Sequence, residues 1–201
     1  SPLKVYEQVA HTQDWQTNVC RFEYNPWGEL RKETFKPRDL HEFLFNRSAL
    51  EADDAQLILW IQRGPTDSAR RYATEAGSKC RFRACPATNR TIKHGHYRVA
   101  LDEVYHKYGL KADPFVQAGY VHLYCLERFL DFPEICAKLD VRPDDRPMAQ
   151  EPRGHWAPAL GAHEAEVARK FIKRCRKKTL YQDKLYAQYP AHDVNARGAP
   201  K

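Results

Sequence analysis

Three cysteines and one histidine of this chain fall into two close pairs. Cys80 and Cys85 form the first pair, and His122 and Cys125 form the second. Three thiolates and one imidazole are a donor set that fills the tetrahedral shell of a structural zinc ion. The spacing therefore predicts that these four residues bind one structural Zn²⁺ per chain.

Other interpretations of the same residues stay open. The cysteines could be ordinary buried thiols beside a core histidine, because free cysteine packs as a small hydrophobic residue. Alternatively, His94 or His96 could replace His122 as the imidazole ligand, and Cys136 could replace one of the thiols. Three of the six cysteines fall into the two pairs, and this clustering favours the four-residue site.

A site with four protein ligands is closed, so it leaves no position for a substrate or an activated water. The sequence also contains no Gly-rich phosphate loop, no Gly-x-Ser-x-Gly and no His-Glu-x-x-His. The acidic pairs Asp53-Asp54 and Asp144-Asp145 are better interpreted as the start of a helix and a Pro-rich turn. We therefore expect a chain that is not an enzyme.

The segments beside the two pairs resemble a known family. Ile92–Ala100 reads Ile-x-x-Gly-x-Tyr-Arg-Val-Ala, and Tyr120–Cys125 reads Tyr-Val-His-x-x-Cys. Over about residues 79–130, this pattern is similar to the PARP-type zinc finger of poly(ADP-ribose) polymerases and of a DNA ligase that carries a similar finger. The first pair departs from the family pattern, since the family has Cys-x-x-Cys where this chain has Cys-x-x-x-x-Cys.

The resemblance implies contacts with DNA. In the PARP-type family, the arginine at the position of Arg98 touches a backbone phosphate, and exposed apolar residues of the following loop stack on bases at a break. Here that loop offers Tyr108, Leu110 or Phe115. For Arg98 the alternative is an ion pair with a neighbouring carboxylate, and for the loop residues it is burial in the core of the finger.

The net charge of the chain also favours a nucleic-acid partner. It carries 33 Lys and Arg against 26 Asp and Glu, which gives a net charge of +7. Such an excess suits a polyanionic partner, although a solvated surface position is the alternative for any single cation. The residues predicted to bind nucleic acid are Arg98, Arg81, Arg83, Lys79, Lys93, Arg70, Lys173, Arg176 and Lys177.

These observations predict a zinc-dependent DNA-binding module of a nuclear or chromatin-associated protein, with RNA as the second candidate ligand. The alternative is a zinc-stabilised protein-interaction module of a chromatin or repair complex. In that case an N-terminal hairpin, Trp60 and a Pro-rich arm would carry the partner surface. No run of about 20 apolar residues occurs, so no contact with a membrane is expected.

The sequence patterns predict an α+β fold, with a small zinc-finger β-sheet flanked by an N-terminal hairpin-plus-helices region and a C-terminal basic helix. A hydrophobic content of 42% supports a packed core. The predicted elements are a hairpin over 19–35, helices over 37–45, 49–62, 69–76 and 162–178, strands over 96–104 and 119–124, and a helix from Cys125. The predicted divisions are an N-terminal region (1–76), the finger (77–139), a Pro-rich extended arm (140–160), a basic helix with its following segment (161–189) and a disordered tail (190–201).

Overall fold

The computed structural model describes residues 5–66 and 71–178 of the chain. Helices and a mixed β-sheet surround one hydrophobic core, so the predicted α+β class is confirmed. The segments predicted as a tail and as the end of the basic-helix region lie outside the described residues. The same is true of the beginning of the helix predicted over 69–76, whose described remainder contains only a 3₁₀ turn at Glu75–Ser78.

The N-terminal region contains a short antiparallel ribbon of β1 (Trp15–Gln16) and β2 (Arg21–Phe22). The predicted hairpin is reduced to the Asn25–Gly28 turn, which is closed by one bridge between Tyr24 and Leu30. Helix α1 (Pro37–Phe45) follows as predicted. Proline suits the first turn of a helix, because its fixed φ is helical and its missing N–H would have no partner there.

The main sheet has four strands: β3 (Ile58–Arg63), β4 (Tyr97–Asp102), β5 (Gly119–His122) and β6 (Asp140–Pro143). Their spatial order is β5-β4-β3-β6. Strand β4 pairs antiparallel with both of its neighbours, and β6 lies parallel to β3. The strands predicted over 96–104 and 119–124 are thus confirmed as β4 and β5.

Four further α-helices follow between residue 105 and the end of the described residues. They are α2 (Tyr105–Tyr108), α3 (Leu123–Phe129), α4 (Phe132–Lys138) and α5 (Ala162–Arg176). Helix α5, which corresponds to the predicted basic helix, packs on α4 and β6 through an apolar stripe. Within the described residues, no helix combines the length and the hydropathy needed to span a bilayer.

Residues 49–62 do not form the predicted buried helix. The apolar end of this segment is β3, and residues 58–62 are all buried. A short apolar run is compatible with either a buried helix or a central strand, and periodicity alone does not distinguish the two. Because β3 lies between β4 and β6 with both faces covered, its sequence shows no alternation of apolar and polar residues.

The four strands of the main sheet come from three of the predicted regions of the chain. Strand β3 comes from the predicted N-terminal region, β4 and β5 come from the predicted finger, and β6 is the beginning of the predicted arm. Buried residues from all of these segments belong to a single core cluster. The finger is therefore part of a larger structural unit, and its sheet would be incomplete without the residues on either side of it.

A buried charged network joins the arm to the sheet. The carboxylate of Asp144, which is completely buried, accepts hydrogen bonds from Gln62 Nε2 at 2.7 Å and Trp156 Nε1 at 2.9 Å. It also accepts two from the guanidinium of Arg146, at 2.7 and 2.9 Å. Removal of one partner from such a network leaves the other groups buried without compensation, which is strongly destabilising.

We expect Asp144→Asn to lower the free energy of unfolding by about 3 kcal/mol, because the buried Arg146 charge loses its carboxylate. For a chain of this size, that corresponds to a fall of about 10 °C in Tm. The matched control is Asp145→Asn, which removes the same charge from the next residue, where an exposed carboxylate pairs with Arg169. Its effect should stay within about 0.5 kcal/mol, and equal losses in the two variants would contradict this role of Asp144.

Candidate metal centre

The structure brings together the four residues of the two predicted pairs. The three sulfur atoms of Cys80, Cys85 and Cys125 and one ring nitrogen of His122 all lie within 4.8 Å of one another. Cys85 Sγ is 3.3 Å from His122 Nδ1, so Nδ1 is the nitrogen that faces the thiols. Four side chains converging in this way could hold a metal ion.

Backbone pairing positions the first pair. Cys80 forms a parallel bridge with Tyr120 in β5, and Phe82 forms one with Phe35. The backbone N–H of Cys80 donates to the carbonyl of Arg90 at 2.8 Å. The Phe82 side chain is completely buried, so the turn that leads to Cys85 is anchored in the core on one side and open to solvent on the other.

The second pair lies at a junction between strand and helix. His122 is the last residue of β5 and the N-cap of α3, and Cys125 lies in the first turn of that helix. Residues three apart at the start of a helix face the same direction, so both side chains reach one point. The backbone N–H of His122 also donates to Cys80 Sγ at 3.2 Å, which ties the two pairs together.

The three thiols change one another's pKa values through hydrogen bonds. Burial raises the pKa of the Cys80 thiol to about 12. Hydrogen bonding to Cys80 raises the pKa of Cys125, whereas hydrogen bonding from Cys125 lowers the pKa of Cys85. A bound metal ion would supply the positive charge that lets all three ionise, and its binding would release protons.

His96 is an outer partner of the cluster. Its Nδ1 lies 3.1 Å from His122 Nε2, on the side of that ring opposite the thiols, and it accepts a hydrogen bond from the backbone N–H of Lys93 at 3.2 Å. An accepting Nδ1 on His96 requires a proton on His122 Nε2, which leaves His122 Nδ1 free to act as a ligand. Burial lowers the pKa of His96 and favours this neutral state.

A close backbone approach holds His96 in place. The N–H of Gly64 donates to the carbonyl of His96 at 2.7 Å, and a Cβ at position 64 would lie only 2.4 Å from the carbonyl oxygen of Lys93. Only glycine fits there. The sequence suggested His96 as a competing ligand but gave no sign of this supporting role.

The other competing ligands lie outside the cluster. His94 is exposed, and Cys136 is a buried free thiol of α4 that shares a hydrogen bond with Cys175 of α5. Among the described residues, the group formed by Cys80, Cys85, His122 and Cys125 is the one in which at least three potential ligands converge.

Two of the cations predicted to bind nucleic acid are completely buried, which corrects the expectation that they face phosphates. Arg98 donates to Gln62 Oε1 at 2.9 Å, and its guanidinium lies 4.0 Å over the ring of Tyr120. Arg81 donates to the carbonyls of Leu30 and Lys32, both at 2.8 Å. Both arginines hold the interior together, and neither reaches solvent.

The remaining predicted cations have different surroundings. Lys79 is half-buried, whereas Arg83 and Lys93 are exposed beside the metal centre, and Lys173, Arg176 and Lys177 are exposed on or just after α5. Arg70 lies outside the described residues.

The loop before β5 contains the three residues that were expected to stack on bases. Phe115 packs against Arg71 and Trp156, Tyr108 is half-buried, and Leu110 is 36% exposed. Leu110 is therefore the most accessible of the three loop residues.

Comparisons of the chain with protein-family models, with curated proteins and with solved structures find no match. The resemblance to the PARP-type finger consequently stays a prediction that rests on the residues between positions 79 and 130. The geometry of the metal centre and the cations around it are therefore the basis for inferring the function.

We expect His96→Ala to weaken metal binding by about 10- to 100-fold, because His122 would lose the partner that fixes its tautomer and orientation. Competition of the protein with a chromophoric chelator measures this affinity. His94→Ala, which removes an exposed imidazole from the same loop, is the control and should bind metal like the wild type. If both variants bind metal equally tightly, His96 does not support the centre.

Proposed function

We propose that this chain is a zinc-stabilised DNA-binding module of a nuclear or chromatin-associated protein. Three thiolates and one imidazole are a donor set typical of structural zinc, and four protein ligands leave no open position for catalysis. Zinc would fix the turn that carries Cys80 and Cys85 against the end of β5. In this proposal the metal shapes the surface and takes no part in a reaction.

The observation that carries the proposal is a set of exposed cations without acidic partners. Within residues 5–66 and 71–178, no ion pair involves Arg83, Lys93, Lys173, Arg176 or Lys177. Positive charges left unneutralised on a folded surface suit a phosphate backbone, which binds through such charges largely independently of sequence. DNA is the first candidate and RNA the second.

The proposal differs in one respect from what the family resemblance implies. The buried Arg98 acts as a structural residue, so the phosphate contacts near the metal centre would come from Arg83 and Lys93. Of the residues that could stack on an exposed base, Leu110 is the most accessible. The contact with a broken end of DNA would therefore be apolar and would not involve an aromatic ring of this loop.

One observation favours the alternative of a protein-interaction module. Trp27, at the turn between Tyr24 and Leu30, exposes 56% of its surface, which is unusual for so large an apolar side chain. Trp60, which was expected on the partner surface, is only 3% exposed and belongs to the core. A partner surface would thus be centred on the N-terminal turn.

We expect the protein to bind duplex DNA, and we expect the logarithm of its association constant to fall linearly with the logarithm of the salt concentration. Contacts with at least three phosphates would give a slope of about −3 or steeper. The double variant Arg83→Gln/Lys93→Gln should flatten this slope by up to about 2. Fluorescence anisotropy with labelled duplex, nicked and single-stranded DNA measures affinity and ranks the ligands.

Two controls accompany this titration. Lys138→Gln/Lys170→Gln removes the same charge from two lysines that pair with Glu134 and Glu166, and it should keep nearly the wild-type slope. Cys80→Ser should lose both metal and DNA binding. An affinity that does not change with salt, or no binding even at low salt, would rule out the proposed function and favour the protein-interaction alternative.

A further inference from the structure

A groove of about 650 Å³ lies between α5 and the segment that begins with β6. Its volume is within the range of sites that bind small ligands, roughly 300–1,000 Å³. The metal centre involves β5, whereas this groove lies beside β6 at the opposite edge of the sheet. The two sites are therefore separate.

Cations dominate the lining of the groove. Six Lys and Arg side chains contribute to it, and Asp145 is the single acidic lining residue. The cations are Arg142, Arg146, Arg169, Lys173, Arg176 and Lys177. Nothing in the packing of the core requires this concentration of positive charge, because most of these side chains are exposed.

The wall formed by α5 presents a regular row of charges. Arg169, Lys173 and Lys177 are spaced four residues apart, and Arg176 lies one turn after Lys173, so all of them share one face. Each step of four residues advances by about 6 Å along the helix. The adjoining apolar side of α5 packs on the core through Ile172, which also borders the groove, and Cys175.

The wall formed by the β6 segment carries two arginines that lie over the ring of Trp60. The guanidinium of Arg146 lies 4.1 Å over the ring of Trp60 and is bound to the buried carboxylate of Asp144. Arg142 lies 5.6 Å over the same ring and makes two hydrogen bonds of 2.8 Å to Asp140. On this wall each arginine thus lies against Trp60 and is paired with a carboxylate.

Three of the four arginines in the groove each form an ion pair with a carboxylate. Arg142 pairs with Asp140, Arg146 with Asp144, and Arg169 with Asp145. No carboxylate of the described residues pairs with Lys173, Arg176 or Lys177. Arg176 donates from Nε to the backbone carbonyl of Cys136 at 3.4 Å. An excess of three positive charges is thus left along one side of the groove.

We propose that this groove is a phosphate site that takes two or more neighbouring phosphate groups. Lys173, Arg176 and Lys177 would bind the phosphate oxygens, since lysine supplies a compact charge and arginine a planar fork of donors that match phosphate. The phosphates belong either to a DNA strand or to a free polyphosphate. In the first case the inference rests on the proposed function, and in the second it is independent of it.

Isothermal titration with sodium tripolyphosphate tests the site, using the full chain with its metal. The wild type should bind it, and Lys173→Gln/Lys177→Gln should bind it at least about tenfold more weakly, because two charge-assisted contacts are lost. The control Lys138→Gln/Lys170→Gln has the same net charge but leaves the groove intact, and it should bind like the wild type. Circular dichroism checks that both variants are folded.

Competition with labelled duplex DNA then identifies the source of the phosphates. Displacement of the DNA by tripolyphosphate, together with a weaker DNA affinity of Lys173→Gln/Lys177→Gln than of the control, would assign the groove to a DNA strand. Binding of tripolyphosphate without displacement would assign it to a free polyphosphate. Both results support the phosphate site.

Two other outcomes separate this inference from the proposed function. If the groove variant and its control bind both tripolyphosphate and DNA equally, the phosphate site is overturned, while DNA binding through Arg83 and Lys93 still stands. If tripolyphosphate binds through the groove but the wild type binds no DNA, the proposed function fails and the phosphate site stands.

Discussion

The convergence of Cys80, Cys85, His122 and Cys125 is the constraint on which the rest of the site depends. These residues come from a turn and from a strand-to-helix junction that are far apart in sequence, and the fold places their donor atoms within 4.8 Å. Three thiols that crowd one another in this way gain from a central cation, which would also lock the turn to β5 and α3. The position of the exposed Arg83 beside this turn follows from the same arrangement.

Part of the positive charge of the chain lies in its interior. The excess of Lys and Arg in the sequence does not translate directly into a basic surface, because Arg81 and Arg98 are fully buried and Arg146 is bound to a buried carboxylate. Buried arginines here act as structural connectors through carbonyls, amides and aromatic rings. In the proposed function, the cations that meet a polyanionic ligand lie beside the metal centre and along α5.

The convergence of the four candidate metal ligands could be predicted from the sequence because residue type and spacing encode that chemistry directly. Helices α1 and α5 could be predicted because proline and an apolar stripe are local signals. By contrast, the strand β3 and the burial of Arg98 depend on which segments pack together, and no local pattern reveals that. The groove could not be foreseen for the same reason, since Arg142 and Lys173 are brought together only by the packing of α5 on β6.

X-ray absorption spectroscopy of the purified protein at the zinc edge tests the central claim most directly, because it identifies the metal and its ligands together. The account predicts one zinc ion with three sulfur neighbours at about 2.3 Å and one nitrogen at about 2.0 Å. A shell with fewer than three sulfurs, a shell that includes oxygen, or a protein that binds no zinc would contradict it.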